Sequence, residues 1–236
     1  MIKSALRKIG VEVNRFSPSS SPTAQIIASL QRFDVDLIFD VGANKGQFAS
    51  EMRSGGYTGN IISFEPLSSA HRALIIAKNG DTKWDVYARC ALGDKNGDVE
   101  INIAGNSASS SLLPMLDSHL SAAPHTAYIG KETVPLLTLD SVAPAYMNKY
   151  KNPFLKIDTQ GFEWAVLNGA SNVLPQMRGV LIELSLIPLY ERQHLWEEII
   201  LRMRQDGFTL WSLQPGFVDP RDGRTLQMDG LFFRLT

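Results

Sequence analysis

Leu37-Ile38-Phe39-Asp40-Val41-Gly42-Ala43-Asn44-Lys45-Gly46-Gln47-Phe48 is the stretch that decides the fold class. A short apolar run ends in an acid, turns through Gly-Ala-Asn-Lys-Gly, and continues as a helix. That order predicts a strand, a tight loop and a helix N-terminus, the first unit of a nucleotide-binding α/β sheet. Gly42 and Gly46 let the backbone turn sharply and let a ligand approach it closely. Asp40, at the strand's end, can accept hydrogen bonds from a cationic or amine-bearing ligand. A phosphate-cradling loop would read Gly-x-x-x-x-Gly-Lys-Ser/Thr, but Lys45 precedes the second glycine and no Ser or Thr follows it. A dinucleotide fingerprint would read Gly-x-Gly-x-x-Gly, and Ala43 and Asn44 break it. The spacing that remains, Asp-x-Gly-x-x-x-Gly, suits a ligand with an amino group better than a pyrophosphate. An ordinary strand-to-helix turn carries similar glycines, so the loop needs a second half.

Asn60-Ile61-Ile62-Ser63-Phe64-Glu65-Pro66 supplies it, another apolar run ending in an acid. Glu65 follows Gly42 at close to the roughly 20-residue offset of a ribose-binding acid at the end of a second strand. Such an acid accepts from both ribose hydroxyls and repels a ribose phosphate, which favours an unphosphorylated adenosine. Pro66 ends the strand, and residues 67–79 are expected to form the next helix.

Together with Leu155-Lys156-Ile157-Asp158-Thr159-Gln160-Gly161-Phe162-Glu163, these two elements resemble the FkbM family of methyltransferases over about residues 37–234. The resemblance implies S-adenosylmethionine as methyl donor and a hydroxyl of a sugar, glycolipid or polyketide natural product as acceptor. The Lys-Ile-Asp-x-x-Gly-x-Glu element is what separates this family from other methyltransferases. Where the family often has Val-Glu, this chain has Thr159-Gln160, one acid fewer. The resemblance also implies that Ala91 and Leu92 border the adenine, and that Tyr190 belongs to a turn common to the family.

Composition agrees. The 236 residues, 44% of them hydrophobic, suffice for one α/β domain with a full core. A net charge of −1 gives no broad basic face for a nucleic acid. Cys90 is the sole cysteine, so no intramolecular disulfide can form and a cytoplasmic setting is expected. Neither a signal peptide nor a membrane-spanning apolar stretch is evident. Ile2, Leu6, Ile9 and Val13 recur at helical spacing beside Lys3, Arg7, Lys8 and Arg15. This basic amphipathic segment, within residues 1–17, either rests on the inner face of an anionic membrane or docks on its own domain. Residues 17–22 read as a linker, and Thr23 as the cap of a helix through Phe33 that packs on the sheet. The division is thus 1–33, an N-terminal segment, linker and helix, and 34–236, the methyltransferase domain.

Farther along, Trp84 to Ala88 reads as a third strand and 98–103 as an edge strand or hairpin. Residues 105–128, polar and long, read as a substrate-facing loop. Val134 to Asp140 gives a short strand, with Asp140 capping the next helix. Phe154 to Asp158 is the strand expected beside the first. Gly179 to Ser185, Phe208 to Leu213 and Asp229 to Leu235 complete a Rossmann-like, doubly wound, seven-stranded mixed sheet whose last strand, as the resemblance implies, is antiparallel beside the fifth. Residues 214–228 could roof the substrate site.

The chemistry is expected at the carboxyl ends of these strands. Methyl transfer to a hydroxyl needs the oxygen held at attack distance and its proton removed. Asp158 is the candidate for that task, as base or as positioner. Lys156, two residues earlier and on the same face, would hold Asp158 ionised or bind an acceptor oxygen. Glu183, an acid inside an apolar strand, needs a partner, either Lys156 or substrate. Glu163 is a substrate contact or a helix-start charge; Tyr190 and His194 are candidates to shape the acceptor pocket, His194 equally a surface residue at the start of the helix expected over Trp196 to Arg204. The carboxylates of Asp158, Glu163 and Glu183 also suit magnesium, but their spacing does not demand it and no metal ligand is assigned. Asp40, Gly42, Asn44, Gly46, Glu65, Ala91 and Leu92 form the expected cofactor site. Two other readings stay open: a nucleotide-binding oxidoreductase using NAD, and a protein that binds S-adenosylmethionine without turnover. The sugar, the hydroxyl position and the oligomeric state are not written in these motifs.

Overall fold

A computed structural model describes residues 8–11, 13 and 15–235. Ten strands are present among them: β1 Leu37–Val41, β2 Asn60–Phe64, β3 Trp84–Val86, β4 Ala91–Leu92, β5 Gly97–Ala104, β6 Tyr128–Leu137, β7 Pro153–Ile157, β8 Gly179–Ser185, β9 Thr209–Pro215 and β10 Gln227–Phe233. The helices are α1 Pro22–Arg32, α2 Gln47–Ser54, α3 Ser68–Lys78, α4 Asp117–Ala122, α5 Leu139–Val142, α6 Pro144–Met147, α7 Glu163–Asn168 and α8 Trp196–Gln205. The main sheet has seven strands in the order β3-β2-β1-β7-β8-β10-β9. Its first five are parallel, and β10 inserts antiparallel between β8 and β9. This is the mixed doubly wound sheet expected, with its antiparallel strand in the expected place.

The central strands β1 and β7 are buried along their whole length, as parallel strands covered on both faces must be. Side chains alternate between two apolar layers. Phe39, Val41, Leu155, Ile157 and Ile182 pack under α7 and α8. Ile38, Phe154, Leu181, Leu231 and Phe233 pack under α1 and α2. The period of two then carries Asp40, Lys156, Glu183 and Asp229 onto the second of these faces. All four lie at the same end of the sheet, because β10 runs opposite to its neighbours.

Helix α1 begins one residue before the expected cap. Ser21 is the N-cap, its side chain accepting from the Ala24 amide, and Pro22 opens the helix. Thr23 instead donates to Glu51 of α2. Of the amphipathic N-terminal segment, Ile2, Lys3, Leu6 and Arg7 lie outside the described residues; Ile9, Val13 and Phe16 are exposed. Among the described residues no helix is long and apolar enough to cross a membrane.

The edge strand read at 98–103 belongs to a second sheet, ordered β4-β6-β5. Its partner, β6, is a ten-residue strand of which the sequence reading recognised only the end. The polar stretch 105–128 is folded onto the body: the Ser111 hydroxyl donates to the Gln160 carbonyl, and the Leu116 amide to that of Leu189. Asp140 is not the cap of α5. Thr138 caps it, accepting from the Ser141 amide. Asp140 reaches across to the turn after α7, accepting from the amides of Asn172 and Val173 at 3.1 and 3.0 Å and from the Asn172 side chain at 2.9 Å. With the Ser171 hydroxyl at 3.2 Å counted, removing Asp140 leaves four donors without an acceptor, so Asp140→Ala is expected to lower the unfolding free energy by about 2 kcal/mol in a urea titration. A change under about 0.5 kcal/mol would show that water replaces the carboxylate freely.

Candidate active site

Strand β1 lies directly in register with β7, with Asp40 opposite Lys156. A carboxylate closed in between two apolar strands needs a counterion, and Lys156 provides it at 3.2 Å. Asp40 is 0% and Lys156 6% exposed. The ammonium also donates to the carbonyls of Gly42 at 2.9 Å and Val41 at 3.3 Å, and lies 3.8 Å from Asp158. Burial alone would push its pKa down; Asp40 and then Asp158 more than reverse that, so it stays charged. The second oxygen of Asp40 accepts from the Ser63 hydroxyl, which itself accepts from the Trp84 indole. A polar chain thus crosses the sheet from β3 to β7. The expectation that Asp40 meets a ligand directly is corrected: it stands behind the cavity wall, and Lys156 is its partner. Lys156 lines the cavity with its ammonium engaged by Asp40 and two carbonyls, 3.8 Å from Asp158, the placement of a group that holds Asp158 ionised.

Gly42 has φ +75°, and a Cβ there would fall 1.8 Å from the Asp158 carbonyl oxygen. Glycine is therefore what lets the end of β7 close against the loop. Asn44, also left-handed at φ +47°, gives its amide to Glu65 at 2.7 Å and accepts from the Ser107 hydroxyl through its side chain. The second oxygen of Glu65 takes the Leu67 amide at 2.8 Å. Burial raises the Glu65 pKa to about 7, although both backbone amides favour the ion. Gly46 caps α2 and packs its bare face against Trp84 and Leu74, which makes it a packing position away from the cavity.

Beyond β7 the chain makes a compact turn. Gln160 is left-handed, with φ +54°. Its amide nitrogen donates to Asp158 at 2.9 Å and to Glu183 at 2.9 and 3.0 Å, and its oxygen accepts from the Tyr190 hydroxyl at 2.9 Å. Glu183 therefore finds its partner in Gln160 and not in Lys156. Burial, then repulsion from Asp158 and Glu163, holds its pKa well above the carboxylate range. Glu163 turns back into its own loop, accepting from the amides of Thr159 and Gly161. Burial first of all raises it to about 7. Tyr190 is fully buried and acts through Gln160. His194 stacks on Trp164 at 4.1 Å and pairs with Glu198 at the start of α8. Glu163, Glu183, Tyr190 and His194 do not line the cavity; Glu163 and His194 stand at the starts of α7 and α8, the other role the sequence offered for each. The first three brace the turn that presents Asp158, whose side chain is 41% exposed.

That cavity measures about 540 Å³. On one side Gly42, Asn44, Glu65, Ala91, Leu92 and Phe162 form a slot with a carboxylate at its rim. On the other, Asp158 and Gln160 face Gln214, Pro215 and Asp229, with Thr23 and Ile26 of α1 closing the wall. Ser107 and Ser110, from the stretch read as substrate-facing, line it too. Gln214 and Asp229 were not found from sequence, although Asp229 carried the signal that exposed Glu183: an acid within an apolar run. Among the described residues no three His, Cys, Asp or Glu side chains are grouped to hold a metal ion.

A glycine cradle, a buried acid at the end of β2 and an apolar slot between them suit an adenosine-bearing ligand. The family profile described as the FkbM methyltransferase domain matches residues 40–210, well over half of the chain. A comparison with curated proteins gives no match. Solved structures similar to this chain include an rRNA methylase from Streptococcus thermophilus, 9% identical, covering 96% of this chain and 100% of that one with a TM-score of 0.48. Magnesium protoporphyrin IX methyltransferase from Synechocystis PCC 6803, with S-adenosylmethionine bound, is 10% identical over 90% of this chain and 77% of its own, with a TM-score of 0.48. Aeropyrum pernix fibrillarin, with natively bound S-adenosylmethionine, is 12% identical over 83% and 66%, with a TM-score of 0.44. On the match over residues 40–210, this chain belongs to the FkbM methyltransferase family and uses S-adenosylmethionine as its methyl donor.

Proposed function

We propose that the chain is an O-methyltransferase acting on a hydroxyl of a sugar or similar polyol, with Asp158 as the group that receives the hydroxyl's proton. The observation that carries this reading is the presentation of Asp158. It is a half-exposed carboxylate of the cavity, braced from one side by Gln160 at 2.9 Å and from the other by Lys156 at 3.8 Å. The cofactor supplies a sulfonium-bound methyl group and leaves as a neutral thioether. The chain must bind the acceptor, aim its oxygen and take up one proton as the new carbon–oxygen bond forms. A fixed carboxylate does this without reorganising.

The remaining wall supports a neutral acceptor. Lys156 is the cation among the described lining residues and is already paired, whereas Glu51, Glu65, Asp158 and Asp229 are acids. An anionic acceptor such as a nucleic acid would meet net repulsion there. The Ser110 hydroxyl, which accepts from the Ala104 amide, keeps its proton free to donate to a carbohydrate oxygen. In this reading Glu65 accepts from the ribose hydroxyls, the Asn44 amide orients Glu65, Gly42 lets the ligand approach the loop, and Ala91 and Leu92 face the adenine. Asp40 and Gly46 act from behind, the one on Lys156 and the other on packing.

Labelled methyl transfer from S-adenosylmethionine to a mixed glycan extract tests the activity. Asp158→Asn should cut it at least about 100-fold while leaving S-adenosylhomocysteine affinity within about threefold, since the isosteric amide keeps the fold. An unchanged rate would remove Asp158 from the chemistry. Tight binding with no transfer to any hydroxyl would make the chain a silent binder.

Glu65 generates a pH prediction. Its pKa is raised to about 7, so it gains a proton as the pH falls through that value. The ionised form is the better ribose acceptor, and binding therefore releases a proton below the pKa. S-adenosylhomocysteine affinity measured by calorimetry should rise from pH 6 to 7.5, by roughly up to tenfold per unit below the pKa. Glu65→Gln should flatten the profile. A flat wild-type profile would mean that the ligand does not engage Glu65 as an ion.

A further inference from the structure

Six acids converge at this end of the sheet, and five of them have protein partners. Asp40 is held by Ser63 and Lys156, Glu65 by the Asn44 and Leu67 amides, Asp158 by Gln160 and Lys156, Glu163 by the loop amides, and Glu183 by Gln160. Asp229 alone accepts no hydrogen bond from a described residue. It sits in β10, in register between Glu183 of β8 and Gln214 of β9. Gln214 turns its amide away, to the Pro22 carbonyl and Gln25. The Asp229 side chain is half-buried and lines the same cavity as Asp158. Leaving a carboxyl there without a donor costs free energy that an incoming ligand can recover.

We propose that Asp229 is a second acceptor-binding carboxylate, and that the acceptor is a vicinal diol: Asp158 takes the hydroxyl that is methylated and Asp229 holds its neighbour. This rests on the O-methyltransferase reading. Asp229 and Asp158 are close enough to repel one another, and that repulsion, after burial, raises the Asp229 pKa to about 7. Near neutral pH the group therefore both donates and accepts, which matches a hydroxyl better than an ammonium or a second anion.

The test uses the full chain, labelled S-adenosylmethionine, and a panel of methyl glycosides. Mannoside, rhamnoside, glucoside and galactoside are each paired with the analogues lacking one ring hydroxyl and with the 2-amino-2-deoxy sugar. For the wild type, deleting the hydroxyl beside the methylated one should lower kcat/KM about 10- to 100-fold, the size of one hydrogen bond to a charged group. Asp229→Ala should bring the complete glycoside down by a similar factor, chiefly in KM, and leave about threefold or less between glycoside and deoxy analogue. Asp229→Asn relieves the repulsion between carboxyls and is the control for folding; both variants should bind S-adenosylhomocysteine like the wild type. Undiminished discrimination in Asp229→Ala, or preference for the amino sugar, overturns the proposal while the O-methyltransferase reading stands. Transfer to other hydroxyl compounds but to no glycoside or diol also overturns it. Transfer to no hydroxyl at all overturns the parent reading and this one with it.

Discussion

The ammonium of Lys156 is the constraint on which the site is built. It lies out of water between β1 and β7, 3.2 Å from Asp40, within hydrogen-bonding reach of the Val41 and Gly42 carbonyls, and 3.8 Å from Asp158. A buried charge is tolerated only when it is paired and its protons have acceptors. Lys156 meets both conditions with groups from the two strands that must converge at the cofactor loop. The ion pair therefore acts as a joint. It fixes the first turn of the loop to the residue that faces the acceptor, and Gly42, by lacking a Cβ, lets the two strand ends come close enough to share it.

Around that joint the sheet's alternation does the sorting. One parity of β1, β7, β8 and β10 sends leucines, isoleucines and phenylalanines under α1 and α2, then acids and Lys156 at the strand ends. Gln160 is what makes a cluster of carboxyls workable. A neutral amide in a left-handed turn, it donates to Asp158 and Glu183 together and is itself steadied by Tyr190. A glutamate at that position would add a further charge to carboxyls already held up in pKa by burial and then by mutual repulsion. The departure from the family's Val-Glu is thus compatible with an intact site, and it changes the electrostatics in which Asp158 works.

The central strands, the cofactor loop and Glu65 were legible because each is a local pattern: an apolar run, an acid at its end, a glycine turn; the antiparallel direction of β10 followed only from the family resemblance. Asp158 was legible through the Lys-Ile-Asp-x-x-Gly-x-Glu element. What sequence could not give were partners brought together by register. Nothing near Asp40 in the chain announces that Lys156 stands opposite it, so Asp40 read as a ligand contact. Tyr190, Glu183 and Glu163 read as acceptor contacts for the same reason: their polar partners, Gln160 and the loop amides, come from turns whose left-handed residues leave no clear mark in composition. His194, in the turn before α8, stacks on Trp164 of α7, a contact that no local pattern encodes. Asp229 had a local signal, the same isolated acid that drew attention to Glu183, and its place beside the cavity follows only from the antiparallel insertion of β10.

The most direct test of the joint is the cofactor affinity of a variant from which both buried charges are gone. Asp40→Asn with Lys156→Met leaves no unpaired ion, and such replacements are often neutral for folding. The account predicts a urea midpoint close to that of the wild type, with S-adenosylhomocysteine bound at least about tenfold more weakly by calorimetry, a loss of about 1.4 kcal/mol. A folded double variant that binds the ligand as tightly as the wild type would contradict it, and would reduce Lys156 to a partner for Asp40 and nothing more.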